Sequence, residues 1–375
     1  MPERQTVVVL GATGHFGGRM CRRLLDEPVT LVVTARDAAR AAGFAAELKA
    51  LCGTAIVEAA AIDMAAPDLG LRLRALSPLL VLSAAGPYQG QDYRVARACI
   101  DAGCHYLDLA DGRDFVAGFA ALNEAALARD VLLVTGASTL PGVSSAIVAA
   151  SREWLRSIAA VRTCIAPAHR TPRGIGTIEA VLSYCGRPFR VLEDGTWRTR
   201  HGWQDLRVER LAGLGVRLSA ACDVPDLGLF PERIDGLRTA TFHAALEAPW
   251  EQLALWLMAG ASRAGLVHDW RPWACRFQRI ARNLERFGSE DGGMTVAIDG
   301  HDASGRALRV RFRLTARRNH GPEIPVVPLL ILARRLLRGD LGVRGALPCY
   351  GLVTLEEIAA EMRDFAVDWS FEVDA

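Results

Sequence analysis

The residues best placed to do chemistry lie near the start of the chain, in Gly11-Ala12-Thr13-Gly14-His15-Phe16-Gly17-Gly18. They follow the β-branched run Thr6–Leu10 and precede Phe16, Met20 and Leu24, which recur at helical spacing. A glycine-rich turn between a strand and a helix offers free backbone N–H groups at a helix N-terminus, the arrangement that holds a dinucleotide pyrophosphate. In that reading Gly11 allows the tight turn, Gly14 lets the phosphate approach, and Gly17 lets the helix lie close to the sheet. Thr13, His15 and Phe16, between the glycines, complete the predicted phosphate site. The spacing is G-x-x-G-x-x-G, and no Gly-Lys-Ser/Thr follows, which excludes a kinase-type P-loop.

The end of the second strand, Val29–Thr34, reports the choice of cofactor. A dehydrogenase that takes NAD places an acidic residue there for the ribose 2′-hydroxyl. This chain has Thr34, Ala35 and Arg36. A guanidinium suits a 2′-phosphate, so the reading is NADP(H). Asp37 is then the N-cap of a helix running to about Leu51; a contact from Asp37 to the ribose is the competing use. Asp63, ending the third strand, either meets the adenine or caps a turn.

These residues need a sheet to position them. Strand-like segments at Thr6–Leu10, Val29–Thr34, Thr54–Ile62, Leu79–Ser83, Tyr106–Leu109 and Val131–Thr135 alternate with helical ones, the last of them Phe115–Arg129. This pattern predicts a doubly wound parallel Rossmann sheet over residues 1–150. Ligands bind such sheets at the carboxyl ends of the strands. Ala84, Ala85, Gly86, Pro87, Tyr88, Asp108, Asp111 and Pro141 fall at those ends and become the nicotinamide side of the predicted site. Residues 151–340 read as an α+β substrate or dimerisation domain with a mixed sheet. Its strands are Val161–Pro167, Phe189–Glu193, Leu237–Leu246 and a hairpin of Met294–Ile298 with Leu308–Leu314; Trp250–Ala261 and Val326–Leu337 read as helices. Residues 341–375, a helix at Leu355–Phe365 and a strand at Asp368–Val373, are expected to pack back on the first domain.

Composition narrows the function classes. The chain has 375 residues, 51% of them hydrophobic and 23% charged, with a net charge of +2. Its basic residues are scattered, which argues against nucleic acid. Lys49 is the only lysine, so Schiff-base chemistry has almost no residue to use. The nine cysteines include no C-x-x-C pair, and no His/Asp/Glu group has metal-ligand spacing. No apolar run approaches the roughly 20 residues of a membrane span. A polar beginning without a signal-like stretch points to the cytoplasm, and the partner expected is a small molecule, with a homodimer compatible with the second domain.

Three stretches also resemble the saccharopine dehydrogenase-like (saccharopine reductase-like) NADP-binding family: GATGHFGGR at Gly11–Arg19, AAGPYQGQDYRVARACIDAGCHYLDLADG at Ala84–Gly112, and GASTLPGVSSAIV at Gly136–Val148. The likeness covers the first 150 or so residues and, loosely, the late segment HGPEIPVVP. It implies a Rossmann domain with an α+β domain and NADP-dependent reduction of imines formed from amino acids and carbonyl compounds. Ser138 and Thr139 stand where many relatives carry an acidic residue, so the substrate implied for this chain is broader: an imine or carbonyl small molecule.

Hydride transfer belongs to the cofactor, and the protein supplies orientation and a proton donor. No tyrosine has a lysine four residues later, which excludes short-chain dehydrogenase catalysis. The remaining donors are Tyr88, His105, Asp108, Asp111, His169 and His320. Of these, His169, Tyr88 and Asp108 form the expected catalytic set, and His105, inside a buried strand, is expected to be a core histidine. Two other classes stay open: an NADP-binding sensor or subunit without turnover, and a polyamine-synthase-like transferase that uses bound cofactor.

Overall fold

The computed structural model describes residues 4–374. The chain forms two compact units: the first runs to Gly142 and resumes over Pro325–Val353, and the second takes Val143–Ile324 and the chain from Thr354 onward.

Six strands open the first unit: β1 (Thr6–Leu10), β2 (Thr30–Ala35), β3 (Ile56–Ala61), β4 (Leu80–Ser83), β5 (His105–Asp108) and β6 (Leu132–Thr135). Val7, Val8, Val9, Leu31, Leu80, Leu82 and Leu133 are all fully buried, as strands covered on both faces should be. They pair in parallel in the order β6-β5-β4-β1-β2-β3. Strand order therefore reverses between β1 and β4, which makes that gap the topological switch point. The glycine loop leads into helix His15–Arg23. The helix expected over 115–129 is broken into Arg113–Gly118, a 3-10 turn at Phe119–Leu122, and Asn123–Ala128. The Tyr93 hydroxyl donates to the Phe115 carbonyl at 2.9 Å, and a Cβ at Gly118 would stand 2.4 Å from the same hydroxyl. Tyr93 thus occupies a helical carbonyl and crowds the next turn.

The second unit is built on a mixed sheet. Its strands are β7 (Ser157–Ala166), β8 (Pro188–Glu193), β9 (Thr196–His201), β10 (Arg207–Leu211), β11 (Gly215–Ala221), β12 (Thr239–Leu246), β13 (Gly292–His301) and β14 (Ala307–Ala316). β12 and β7 are parallel, while β13 and β14 form the expected antiparallel hairpin, closed by Gly305 N–H donating to Asp302 O at 3.1 Å. The β8–β9 hairpin pairs onto β12.

After β14 the chain returns to the first unit. Helix Val327–Arg338 follows a proline-bearing first turn and buries Val327, Leu329, Leu330 and Leu332 completely. Arg334 ties it to the first helix, pairing with Glu27 at 2.6 Å and donating to Arg23 O at 2.9 Å. β15 (Gly345–Pro348) then pairs with β6 and completes a seven-stranded parallel sheet. The tail from residue 341, read from sequence as one piece returning to the first domain, therefore divides. After helix Leu355–Glu361, β16 (Val367–Asp374) adds to β14 at the edge of the second sheet. Side chains specify that pairing: Phe312 and Phe371 meet edge to face at 5.1 Å, while Arg311 and Arg313 pair with Asp374 and Glu372.

Candidate cofactor and active site

The three glycines of the loop do different work. Gly11 has φ +73°, a conformation that favours glycine, and a Cβ there would meet Ala85 N at 3.1 Å and Ala84 C at 3.2 Å. The ends of β1 and β4 are thus pressed together. A Cβ at Gly17 would lie 2.1 Å from Gly11 O, so the first helix can sit this close only without a side chain. Gly14 is the exposed N-cap, extended at φ −83° and ψ 175°, and no side chain caps the helix. The first-turn N–H groups therefore point out of the helix unclaimed by a cap, the condition for anion binding. His15 and Phe16 meet edge to face at 5.0 Å. Burial, and then the neighbouring Arg19 charge, hold His15 down at about 4, so its ring is neutral at pH 7. Its Nε2 is buried without a partner.

At the end of β2, Asp37 Oδ1 accepts from Arg40 N at 2.7 Å and caps the helix Ala38–Lys49. Arg36, beside it, is exposed and makes no hydrogen bond or ion pair among the described residues. Thr34 is buried and donates to Val9 O at 2.8 Å, which pins β2 to β1 behind Arg36. Asp63 is exposed and accepts from Ala65 N at 3.0 Å, capping a local turn.

Beyond β4, Ala84 and Ala85 are half-buried and Gly86 is exposed, with cis peptides at Gly86-Pro87 and Leu140-Pro141. Gln91 Nε2 donates to Ala85 O at 3.0 Å and to Pro87 O at 2.6 Å, clamping the turn from inside. Tyr88 is buried, its ring 5.4 Å from Phe115, and its hydroxyl donates to Ser83 O at 2.8 Å. Burial, then the charge of Asp108, push that hydroxyl well above its usual range. A Cβ at Gly112 would stand 3.3 Å from Tyr88 C, so the turns after β4 and β5 also abut. Gln89 Nε2 donates to the exposed Asp111 at 3.1 Å.

Asp108 is fully buried, and one of its oxygens accepts from Ala110 N (2.9 Å), Gly136 N (2.8 Å) and the Thr135 hydroxyl (2.9 Å). Burial pushes it up to about 6 against those hydrogen bonds. Asp108 therefore knots the ends of β5 and β6. Gly136, at φ +70°, would place a Cβ 2.7 Å from the Pro141 ring, so that ring lies over the β6 turn. Within the first unit, Gly11–Gly17, Ala84–Tyr88, Asp108–Gly112 and Gly136–Pro141 thus share one edge, the carboxyl ends of β1, β4, β5 and β6.

The histidines read as proton donors lie elsewhere. His105 Nδ1 accepts from Leu132 N at 2.9 Å, and burial, then Arg344, lower its affinity for a proton. It is satisfied by a backbone partner, as expected, but is half-buried rather than a core residue. His320, in the second unit, accepts from Ala366 N at 2.8 Å and packs on Phe365. His169 is also inside the second unit, 2% exposed. Its Nε2 is 2.9 Å from Leu284 O and its Nδ1 is 3.5 Å from Glu251. One acidic group had no signal in the sequence. Asp226 is buried in the second unit, and burial pushes it up to about 7 against a hydrogen bond with Ser144. In Val224-Pro225-Asp226-Leu227 it reads only as the first turn of a helix. No group of His, Cys, Asp or Glu among the described residues could hold a metal ion.

Residues 7–157 match the model of the saccharopine dehydrogenase NADP-binding domain. This part of the chain is saccharopine dehydrogenase-like. No curated protein matches the chain. Among solved structures, the apo saccharopine dehydrogenase (L-Glu forming) of Saccharomyces cerevisiae aligns with TM-score 0.67 at 12% identity, covering 99% of this chain and 100% of that one. That likeness extends to the two-part fold. GenD2 from gentamicin A biosynthesis, solved with NAD, aligns with TM-score 0.38 at 16% identity over 82% of this chain and 72% of its own.

Proposed function

We propose that this saccharopine dehydrogenase-like chain is an NADP(H)-dependent oxidoreductase acting on an imine or carbonyl small molecule. The observation that carries the reading is the pairing of an uncapped helix N-terminus behind exposed Gly14 with a free Arg36 guanidinium at the end of the neighbouring strand. The residues fit the cofactor at each point. The orphaned His15 Nε2 and the first-turn N–H groups suit a pyrophosphate, and Arg36 suits a 2′-phosphate. The residue that would favour NAD, Asp37, is spent as a helix cap.

When bound, NADP(H) supplies or accepts the hydride. The chain's own residues do the rest. Gly11, Ala84, Ala85 and Gly86 leave the sheet edge bare of bulky side chains, so a flat ring can approach the backbone. Gln91 and the Tyr88–Ser83 hydrogen bond fix the shape of the turn, and Pro87 and Pro141 stiffen it. Among the proton donors read from sequence at this edge, Tyr88 and Asp108 are committed to internal partners, whereas Asp111 keeps solvent access. We therefore assign the proton to Asp111, with Tyr88 and Asp108 as positioning residues. His169 is committed in the same way inside the second unit, with Leu284 O and Glu251 at its ring nitrogens, and takes no role in this proposal.

The same commitments favour a second reading, an NADP-binding protein without turnover. NADPH oxidation measured across a panel of imines and carbonyl compounds separates the two. Substrate-dependent loss of NADPH absorbance, abolished in Asp111→Asn, supports the enzyme. Tight NADPH binding with no consumption on any member of the panel overturns it.

A further inference from the structure

Two helices of the second unit carry surface that none of the described residues covers. Helix Pro249–Arg263 fully buries only Gln252 and Ala259. At roughly 100° per residue, positions 250, 253, 254, 257 and 261 share its outer stripe, and Trp, Leu, Ala, Leu and Ala occupy them. Trp250 is 49%, Leu253 43% and Leu257 63% exposed. The water-facing stripe of a surface helix is ordinarily polar and charged, and this stripe has no charge at all.

The next helix, Ala274–Leu284, packs Ala274 and Phe277 against Ile178 and Leu182. Its other side turns Arg276, Arg279 and Arg282 to solvent, with exposed Ile280 between them. None of these three arginines has an ion pair or hydrogen bond among the described residues. The nearby acids do not neutralise them: Asp269 is paired with Arg271, and Glu285 is half-buried.

We propose that these two helices dock the protein onto an anionic lipid surface. Trp250, Leu253 and Leu257 would enter the headgroup–acyl boundary and the arginines would meet the phosphates. Tryptophan, leucine and unpaired arginine on adjacent helices match what such an interface offers, an apolar slab beneath negative charge. A second copy of the chain fits worse. An isologous contact repeats the same patch on both partners, so it would bring a second set of three unpaired arginines into one interface and no acidic row to meet them. The segment lies on the surface and does not span it, since no helix among the described residues is long and apolar enough to cross a membrane. This inference does not depend on the NADP(H) reading.

The test is co-sedimentation of the full chain with phosphatidylcholine vesicles, with and without phosphatidylglycerol. Binding is expected to the anionic vesicles alone, to weaken with added salt, and to shift tryptophan emission to the blue. The triple variant R276Q/R279Q/R282Q should lose on the order of a hundredfold in partitioning. Leu257→Gln should also weaken it. Both should keep the parent's thermal unfolding, because every altered side chain is exposed. No sedimentation of the parent chain with either vesicle overturns the proposal, as does equal sedimentation with both. A concentration-dependent dimer that Leu257→Gln dissociates, without vesicle binding, assigns the patch to a second copy instead.

Discussion

Arg36 and Asp37 are adjacent and both charged, yet the structure gives them opposite duties. Asp37 satisfies a helix N-terminus, and Arg36 is left to meet a ligand. One charge-assisted bidentate contact is worth about 1.5–3 kcal/mol. Arg36→Ala should therefore weaken NADPH roughly ten- to a hundredfold by calorimetry and leave NADH nearly unchanged; equal losses for both would remove Arg36 from the site. Asp108 shows a different kind of duty. Asp108→Ala strands two buried backbone N–H groups and a hydroxyl, which should cost about 3 kcal/mol or more in urea unfolding. Asp108→Asn keeps the accepting oxygen and should be much milder. If Asn cost as much as Ala, the ionised carboxylate itself would be required at the knot. Arg36 was readable because its position relative to β2 carries the information. The three donors around Asp108 were not, since Thr135 and Gly136 arrive from a strand 27 and 28 residues away.

Between elements, the glycine loop separates folding from binding. Gly17→Ala drives a Cβ into Gly11 O and must push helix from strand, so a lowered melting temperature by calorimetry is expected, on the order of 3 kcal/mol of stability. Gly14→Val adds a Cβ that meets only Gly11 O, at 3.1 Å, in a backbone conformation any residue adopts. It should melt with the parent yet fail to bind NADPH; normal binding by this variant would place the phosphate loop elsewhere. The inner parallel strands were legible because strands buried on both faces appear as apolar runs, whereas β3, with Glu58 and only Val57 buried, was a weaker signal. β9 was not legible, since Thr196–His201 exposes most of its length and carries no apolar alternation. The break at Gly118 was hidden too, because its cause is a tyrosine hydroxyl from another helix.

Across the whole molecule, buried acids set part of the response to pH. Asp226, pushed up to about 7 from a usual value of 3.8, stays protonated in the folded chain at pH where the unfolded chain has lost that proton. Its contribution to stability is full below about pH 4 and is lost as pH rises through 7; Asp108 acts in the same direction up to about 6. His15 and His243, both held down at about 4, oppose this trend as pH rises towards their unfolded value. The clean observable is therefore a difference. Asp226→Asn should gain on the parent chain as pH rises from 4 to 8, by up to about 4 kcal/mol at one pKa unit per 1.36 kcal/mol. A difference that stays flat across that range would mean Asp226 is ionised in the fold.

The division of the chain also has a consequence for the order in which the protein is made. The first unit gains β15, the outer neighbour of β6, and the helix Val327–Arg338 only after the Val143–Ile324 stretch of the second unit has left the ribosome. Until then a nascent chain ending near residue 157 holds the whole glycine loop but leaves the β6 edge unpaired, a template for aggregation. Expressed alone, residues 1–157 should be insoluble or fail to bind NADPH. Supplying residues 325–353 through a short linker in place of the second unit should restore both, and recovery of soluble, NADPH-binding 1–157 without them would show that the late strand is dispensable.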